Sequence, residues 1–209
     1  IYKGMDIGTA KPNKEQQELI QHYLIDICEP NNPITLHEFQ KKAESSLSKS
    51  LQKKAIGLLV GGSGLYLKAL TYGLQPPAVA PQQALRAQLQ EIGQKECHQI
   101  LQRCDPIAAK KISEADYVRT IRALEVFYAT GIPMSKQKKF KSPPWNILEI
   151  GLDSKHLKEK ISNRTEQMYR NGLIEETKYL INKFGKELPL LKTIGYQEAL
   201  SIIQGEIHV

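Results

Sequence analysis

The sequence predicts an α/β protein, a parallel sheet core interrupted by an inserted all-helical domain. Three observations carry that prediction. Residues 56–60 are an apolar run, with Ile56, Leu58, Leu59 and Val60 and no polar alternation, the pattern of a strand buried on both faces. Gly61, Gly62, Ser63 and Gly64 follow, and then Leu65, Tyr66, Leu67, Ala69 and Leu70 in a helix-compatible run. Strand, glycine turn and helix together aim backbone N–H groups and a hydroxyl at a ligand beyond the strand end. After Gly73 the composition shifts: Pro76, Pro77 and Pro81 mark an exit, and helical patterns then run without a strand. Residues 75–144 are therefore expected to be a helical insertion, with 1–74 and 145–209 as the two parts of the core.

Residues 1–12 form a loop-like segment closed by Pro12, and residues 22–27 (HYLIDI) a short strand. Thr35 and Glu38 make a capping box, and Phe39, Ala43, Leu47 and Leu51 continue it as one helical stripe. That helix followed by the strand at 56–60 makes a β-α-β unit spanning 22–60 and hence a parallel sheet. In the insertion, Leu85, Leu89 and Ile92 form a stripe that Gly93 breaks before Ile100 and Leu101 resume it. Asp105 caps a helix with Pro106 at its first position, and Asp116 caps another that runs to Thr130 and stops at Gly131. Lys136, Lys138, Lys139 and Lys141 make a basic connector, and residues 145–152 return as a strand. The rest is helical, with a break at Asn171 and Gly172 and a last helix over 198–203.

No run reaches the roughly 18 apolar residues of a membrane span, and no signal peptide is visible. The 209 residues carry 29 Lys and Arg against 22 Asp and Glu, a net charge of +7 that suits a nucleic-acid or polyphosphate partner. Three cysteines, an odd number, point to a reduced, cytoplasmic compartment, and Cys97, His98 and Cys104 lack a zinc spacing.

Three stretches carry candidate chemistry. A phosphate-binding P-loop needs Lys and then Ser or Thr directly after its last glycine, but Leu65 follows Gly64. Residues 61–64 are thus a second ligand loop or a plain turn. Residues 1–12 offer Tyr2, Lys3, Asp6, Thr9 and Lys11 to a ligand, or are a surface loop. Third, a cap at Asp116 puts Arg119 near the positive end of the helix dipole, at a cost of about 0.3–1 kcal/mol. Arg122 lies one turn on, adding repulsion of roughly 0.2–0.5 kcal/mol. Either an anionic ligand offsets both arginines, or an ion pair with Glu114, Asp116 or Glu125 does.

Taken together, IYKGMDIGTAKP (1–12), LLVGGSGLY (58–66), VRTIRALEVF (118–127) and KTIGYQEAL (192–200) resemble the tRNA dimethylallyltransferase family, with the motifs in matching order from Ile1 to about Ile207. The resemblance implies a P-loop NTPase-like core and transfer of a dimethylallyl group from dimethylallyl diphosphate to N6 of the adenosine beside the anticodon of tRNA. It implies Mg²⁺, and a monomer is expected. Ser63, where the family usually has Thr, and Arg119, matched to stabilisation of the leaving diphosphate, are the implied catalytic residues. Ser63, Arg86, Val118, Arg119, Thr120, Ile121 and Arg122 are implied tRNA contacts, as are Lys192, Thr193, Ile194, Gly195, Tyr196 and Gln197. Thr9, Lys11, Gly61 and Gly62 are implied to bind substrate. The family's P-loop and catalytic Asp would precede Ile1, so the 209 residues alone are expected to be inactive. Three rivals compete: an isopentenyltransferase for free adenine nucleotides, a nucleotide kinase on the same scaffold, and a non-catalytic RNA-binding module. Arg86 and the lysine-rich connector favour tRNA over a free nucleotide.

Overall fold

Helices form where the chain carries caps and apolar stripes, and a computed structural model describes residues 1–137 and 139–207 of it. Asn13 and Gln16 close α1 (Lys14–Leu19) reciprocally: each side chain takes the other's backbone N–H, at 2.8 and 3.0 Å. α2 (Leu36–Lys54) starts directly after Thr35, and α3 (Gly64–Thr71) directly after Ser63. β1 (Leu74–Gln75) follows. Gly93, at φ 94°, separates α4 (Gln83–Ile92) from α5 (Gln94–Cys104). α6 (Pro106–Ala109) has Pro106 in its first turn and Asp105 as cap. α7 (Tyr117–Thr130) is capped by Asp116 and stopped by the left-handed Gly131. α8 (Met134–Gln137) leads to β2 (Lys139–Phe140), which pairs antiparallel with β1. α9 (Leu157–Arg170) and α10 (Leu173–Phe184) break at Asn171 and Gly172, as the sequence predicts. A 3₁₀ turn (Pro189–Lys192) precedes α11 (Tyr196–Ile203). Among the described residues no helix is long and apolar enough to cross a membrane.

The chain divides into two compact units. The second unit comprises Leu36–Lys41 and Leu58–Ile147, and its core joins Leu89 of α4, Cys97 and Leu101 of α5, Ala108 of α6, Ile121 and Leu124 of α7, and Met134 of α8. Burying a leucine such as Leu101 or Leu124 contributes about 2–3 kcal/mol, so α5 and α7 hold each other through a few such side chains. One carboxylate ties two short helices here: buried Asp105 accepts from Ala108 N–H (3.0 Å) in α6 and from Ser135 N–H (2.8 Å) in α8. The first unit comprises Ile1–Thr35, Lys42–Gly57 and the chain from Leu148 on. Its core gathers Met5 from the N-terminal loop with Leu173 and Leu180 of α10, Leu191, and Tyr196 and Ala199 of α11.

The parallel sheet is where the sequence expectation and the structure part. Among the described residues, 22–27, 56–60 and 145–152 are not strands, and parallel pairing is confined to one bridge, Tyr2 with Cys28. Ile56, Leu58, Val60, Leu148, Ile150 and Leu152 are 75–98% exposed. An apolar run records that a segment suits burial on both faces, yet a strand exists only where neighbours take up its N–H and C=O groups. At 22–27 the backbone itself turns away from extension, with Leu24 at φ 63° and Asp26 at φ 54°. The helical reading of the stretch after Gly73 has its counterpart in α4 to α8. Lys138 of the basic connector lies outside the described residues.

Candidate functional site

In the second unit, Ser63 is the residue before α3 and its hydroxyl makes no capping bond. The glycines around it are not explained by the turn. None of Gly61, Gly62 and Gly64 has a positive φ, and a Cβ built on any of them meets nothing within 4 Å. Neither backbone strain nor packing against the described residues calls for glycine there.

At the head of α7, Asp116 accepts the Arg119 N–H at 3.0 Å and meets the Arg119 guanidinium at 3.2 Å. The guanidinium is 74% exposed, so this pair is worth at most about 1 kcal/mol and leaves donors facing solvent. Arg122 has a different fate. With Arg86 it converges on Glu125, whose side chain is wholly buried. Arg86 donates to Glu125 at 2.7 and 3.0 Å, the Gln82 N–H donates at 2.7 Å, and Arg122 adds a further bond. Arg122 also donates to the Val79 carbonyl at 2.8 Å. Burial alone would raise the Glu125 carboxyl, but hydrogen bonds from Arg86, Gln82 and Arg122 outweigh it and bring it down to about 2. Each arginine thus has a carboxylate partner within the chain, an exposed pair at Arg119 and a buried one at Arg122. Of the neighbouring residues, Val118 is exposed, whereas Thr120 and Ile121 are buried.

In the first unit, the loop 1–12 is organised by Lys11. Its ammonium donates to the Tyr2 carbonyl at 2.9 Å and to the carboxylates of Asp6 and Asp26. Burial would lower its pKa; the two carboxylates more than offset that and raise it. Thr9 donates to the Met5 carbonyl at 2.6 Å. From α10, the Glu176 carboxylate reaches into the same loop and accepts the N–H groups of Asp6 (2.9 Å), Ile7 (2.8 Å) and Gly8 (3.1 Å). It also accepts from the Tyr196 hydroxyl at 2.6 Å. Tyr196 is buried, while Lys192, Thr193, Ile194 and Gln197 around it are exposed. Gly195, at φ 89°, opens α11. A cleft of about 600 Å³ lies beside this loop, lined among others by Lys11, Asn13 and Asp26 and, from α9, by Arg164 and Gln167.

Among the described residues no group of three or more His, Cys, Asp and Glu is placed to hold a metal ion. Two buried or network carboxylates organise these regions, Glu125 and Glu176, the first named among the possible partners of the arginines and the second not indicated by the sequence. Glu125 carries a signal, a charge on the apolar stripe of α7, since buried carboxylates are rare unless paired. Glu176 carries none: a Glu in the first turn of a helix is ordinary dipole compensation.

The family model described as IPP transferase matches residues 1–209. A tRNA dimethylallyltransferase of Prochlorococcus marinus is 59% identical over 209 residues, 100% of this chain and 70% of the relative. One from Synechococcus sp. (strain CC9902) is 56% identical over 207 residues, 99% of this chain and 70% of its own. Among solved structures, the full-length tRNA isopentenylpyrophosphate transferase from Bacillus halodurans superposes with a TM-score of 0.64 at 31% identity, covering 100% of this chain and 67% of that one. A eukaryotic dimethylallyltransferase acting on tRNA gives 0.70 at 20% identity, over 98% of this chain and 57% of that one, a likeness of fold alone. With one family model spanning every residue and relatives this similar over the whole length, the chain belongs to the IPP transferase family.

Proposed function

We propose that this protein transfers a dimethylallyl group from dimethylallyl diphosphate to N6 of the adenosine next to the anticodon of tRNA. N6 attacks C1 of the allyl group, the C1–O bond breaks with its electron pair leaving on diphosphate, and N6 gives up a proton to a base. Preorganised cations are what such a departing anion needs. Arg119 serves that role from the head of α7, with Asp116 holding its orientation. In the second unit Ser63 meets the target nucleotide and Gly61 and Gly62 contact substrate; in the first unit Thr9 and Lys11 contact substrate. In the second unit the exposed Val118 contacts RNA, with the buried Thr120 and Ile121 beneath it and Arg86 and Arg122 fixing the helix that carries Arg119; in the first unit the exposed Lys192, Thr193, Ile194 and Gln197 contact RNA, with the buried Tyr196 beneath them. The target base has to leave its stack to be reached.

The structural observation that supports this reading is the glycine run ahead of α3, which the fold itself does not call for. The relatives' shared name supports the reaction. The test uses the whole protein with tRNA and labelled dimethylallyl diphosphate, comparing wild type with Arg119→Ala. Label in tRNA adenosine that collapses in the variant, with tRNA affinity kept, is the expected result. Transfer untouched by the substitution returns Arg119 to a surface ion pair, and tRNA binding without any transfer leaves an RNA-binding module. Label on free AMP instead of tRNA identifies the nucleotide enzyme.

A further inference from the structure

We infer that Glu176 and Tyr196 are positioning residues, a latch that fixes the backbone of residues 6–8 and through it the presentation of Thr9 and Lys11 to the substrate. The inference rests on the transfer reaction proposed above and on Thr9 and Lys11 facing the small substrate in it.

The geometry is that of a backbone nest filled from within. Three successive N–H groups, of Asp6, Ile7 and Gly8, converge on one carboxylate at 2.8–3.1 Å, an arrangement that elsewhere receives external anions. Here the anion comes from α10, 168–170 residues away in sequence. The fourth bond, from Tyr196 at 2.6 Å, orients the carboxylate. Tyr196 is 1% exposed, so water does not compete for its hydroxyl. Burial and the neighbouring Glu176 both push its phenol upward, which keeps it a donor. The loop also packs directly on the ring: a Cβ at Gly8 would sit 2.5 Å from Tyr196 Cζ and 2.6 Å from a second ring carbon.

What the latch holds is the base of the turn that carries the substrate-facing groups. Thr9 donates to the Met5 carbonyl (2.6 Å), Ala10 N–H to Ile7 (3.0 Å) and Lys11 N–H to Asp6 (2.9 Å). Each of those acceptors lies on or beside the residues that Glu176 grips. A shift of residues 6–8 is therefore passed on to Thr9 and to the backbone of Lys11.

Three variants of the whole protein test this. Tyr196→Phe keeps the ring against Gly8 and removes one bond of four. Glu176→Gln removes the charge. Gly8→Ala keeps both latch side chains and drives a methyl against the ring and hydroxyl of Tyr196. Amide exchange at Asp6, Ile7 and Gly8 is expected to quicken about tenfold or more in Glu176→Gln, the worth of one charge-assisted hydrogen bond. In all three, KM for dimethylallyl diphosphate is expected to rise roughly five- to tenfold with kcat within about twofold, since a positioning loss weakens binding without removing the reacting groups. A merely structural role gives the opposite split: kcat falls with the folded fraction and KM stays. That split, or unchanged amide exchange, overturns the inference. If wild-type protein transfers nothing to tRNA, the reaction reading fails, and amide exchange alone then decides whether the latch exists.

Discussion

Replacing Glu125 with Gln isolates the largest electrostatic commitment in the second unit. The carboxylate is fully buried and receives bonds from Arg86, Arg122 and the Gln82 N–H, tying α4 and the segment before it to α7. Its carboxyl falls from an ordinary 4.5 to about 2 in the folded state, because the hydrogen bonds outweigh burial. At about 1.36 kcal/mol per unit the shift corresponds to roughly 3 kcal/mol. Arg86 and Arg122 are 37% and 30% exposed, so water screens part of this, and about 2 kcal/mol is the working figure. The sign follows from the lowered pKa. The unfolded chain binds the proton more readily, so the stabilisation is complete above about pH 4.5 and fades as pH falls toward 2. Urea unfolding followed by Trp145 fluorescence, whose residue lies in the same unit, reads it out. At pH 7, Glu125→Gln is expected to lose about 2–3 kcal/mol, two arginines being left without their counter-charge. Near pH 2.5 the gap is expected to have shrunk to about a quarter of its value at pH 7. A gap that stays constant from pH 7 to 2.5, or one below about 0.5 kcal/mol throughout, refutes the reasoning.

Other substitutions separate packing from function. Gly61→Ala and Gly62→Ala are expected to leave thermal stability unchanged or raised by about 0.4–1 kcal/mol, since nothing stands within 4 Å of either Cβ; lowered dimethylallyl transfer in the same proteins then locates the ligand at that backbone. Asp105→Ala removes caps from two helices and is expected to cost about 2–3 kcal/mol by denaturant unfolding. Leu124→Ala, at a wholly buried site, is expected to cost about 3–4 kcal/mol. Arg119→Ala is expected to change stability by less than about 0.5 kcal/mol, so any loss of transfer in it is a loss of chemistry.

The helical half of the molecule was legible because its signals are local. Asp105, Asp116, Gly93, Gly131 and Gly172 each act within a turn of where they stand, and the structure places helix ends at each of them. The sheet was not, because a strand is a relation between segments: the apolar pattern of residues 56–60 describes half of a contact. The candidate site divides the same way. Arg119 and the glycine run were visible as local oddities, an arginine at the positive end of a helix and glycines ahead of one. Which carboxylate answered Arg122 was left among three, and proximity along α7 turned out to favour Glu125. The partner of Tyr196 was beyond reach, because a hydroxyl and a carboxylate 20 residues apart, on different helices, leave no periodic trace.

The Glu176 carboxylate has a consequence for how the protein is made. The loop of residues 1–12 is synthesised well before α10 but acquires its fixed shape only when residues 168–170 positions later have left the ribosome. At about 5–20 residues per second, that is a wait of roughly 8–35 s. During it the N–H groups of Asp6, Ile7 and Gly8 are hydrated and Met5 has no core to enter. The second unit, whose residues all lie between Leu36 and Ile147, has its own core complete before α10 and α11 are synthesised. The shape of this loop is thus settled late in synthesis, when α10 closes over residues 6–8.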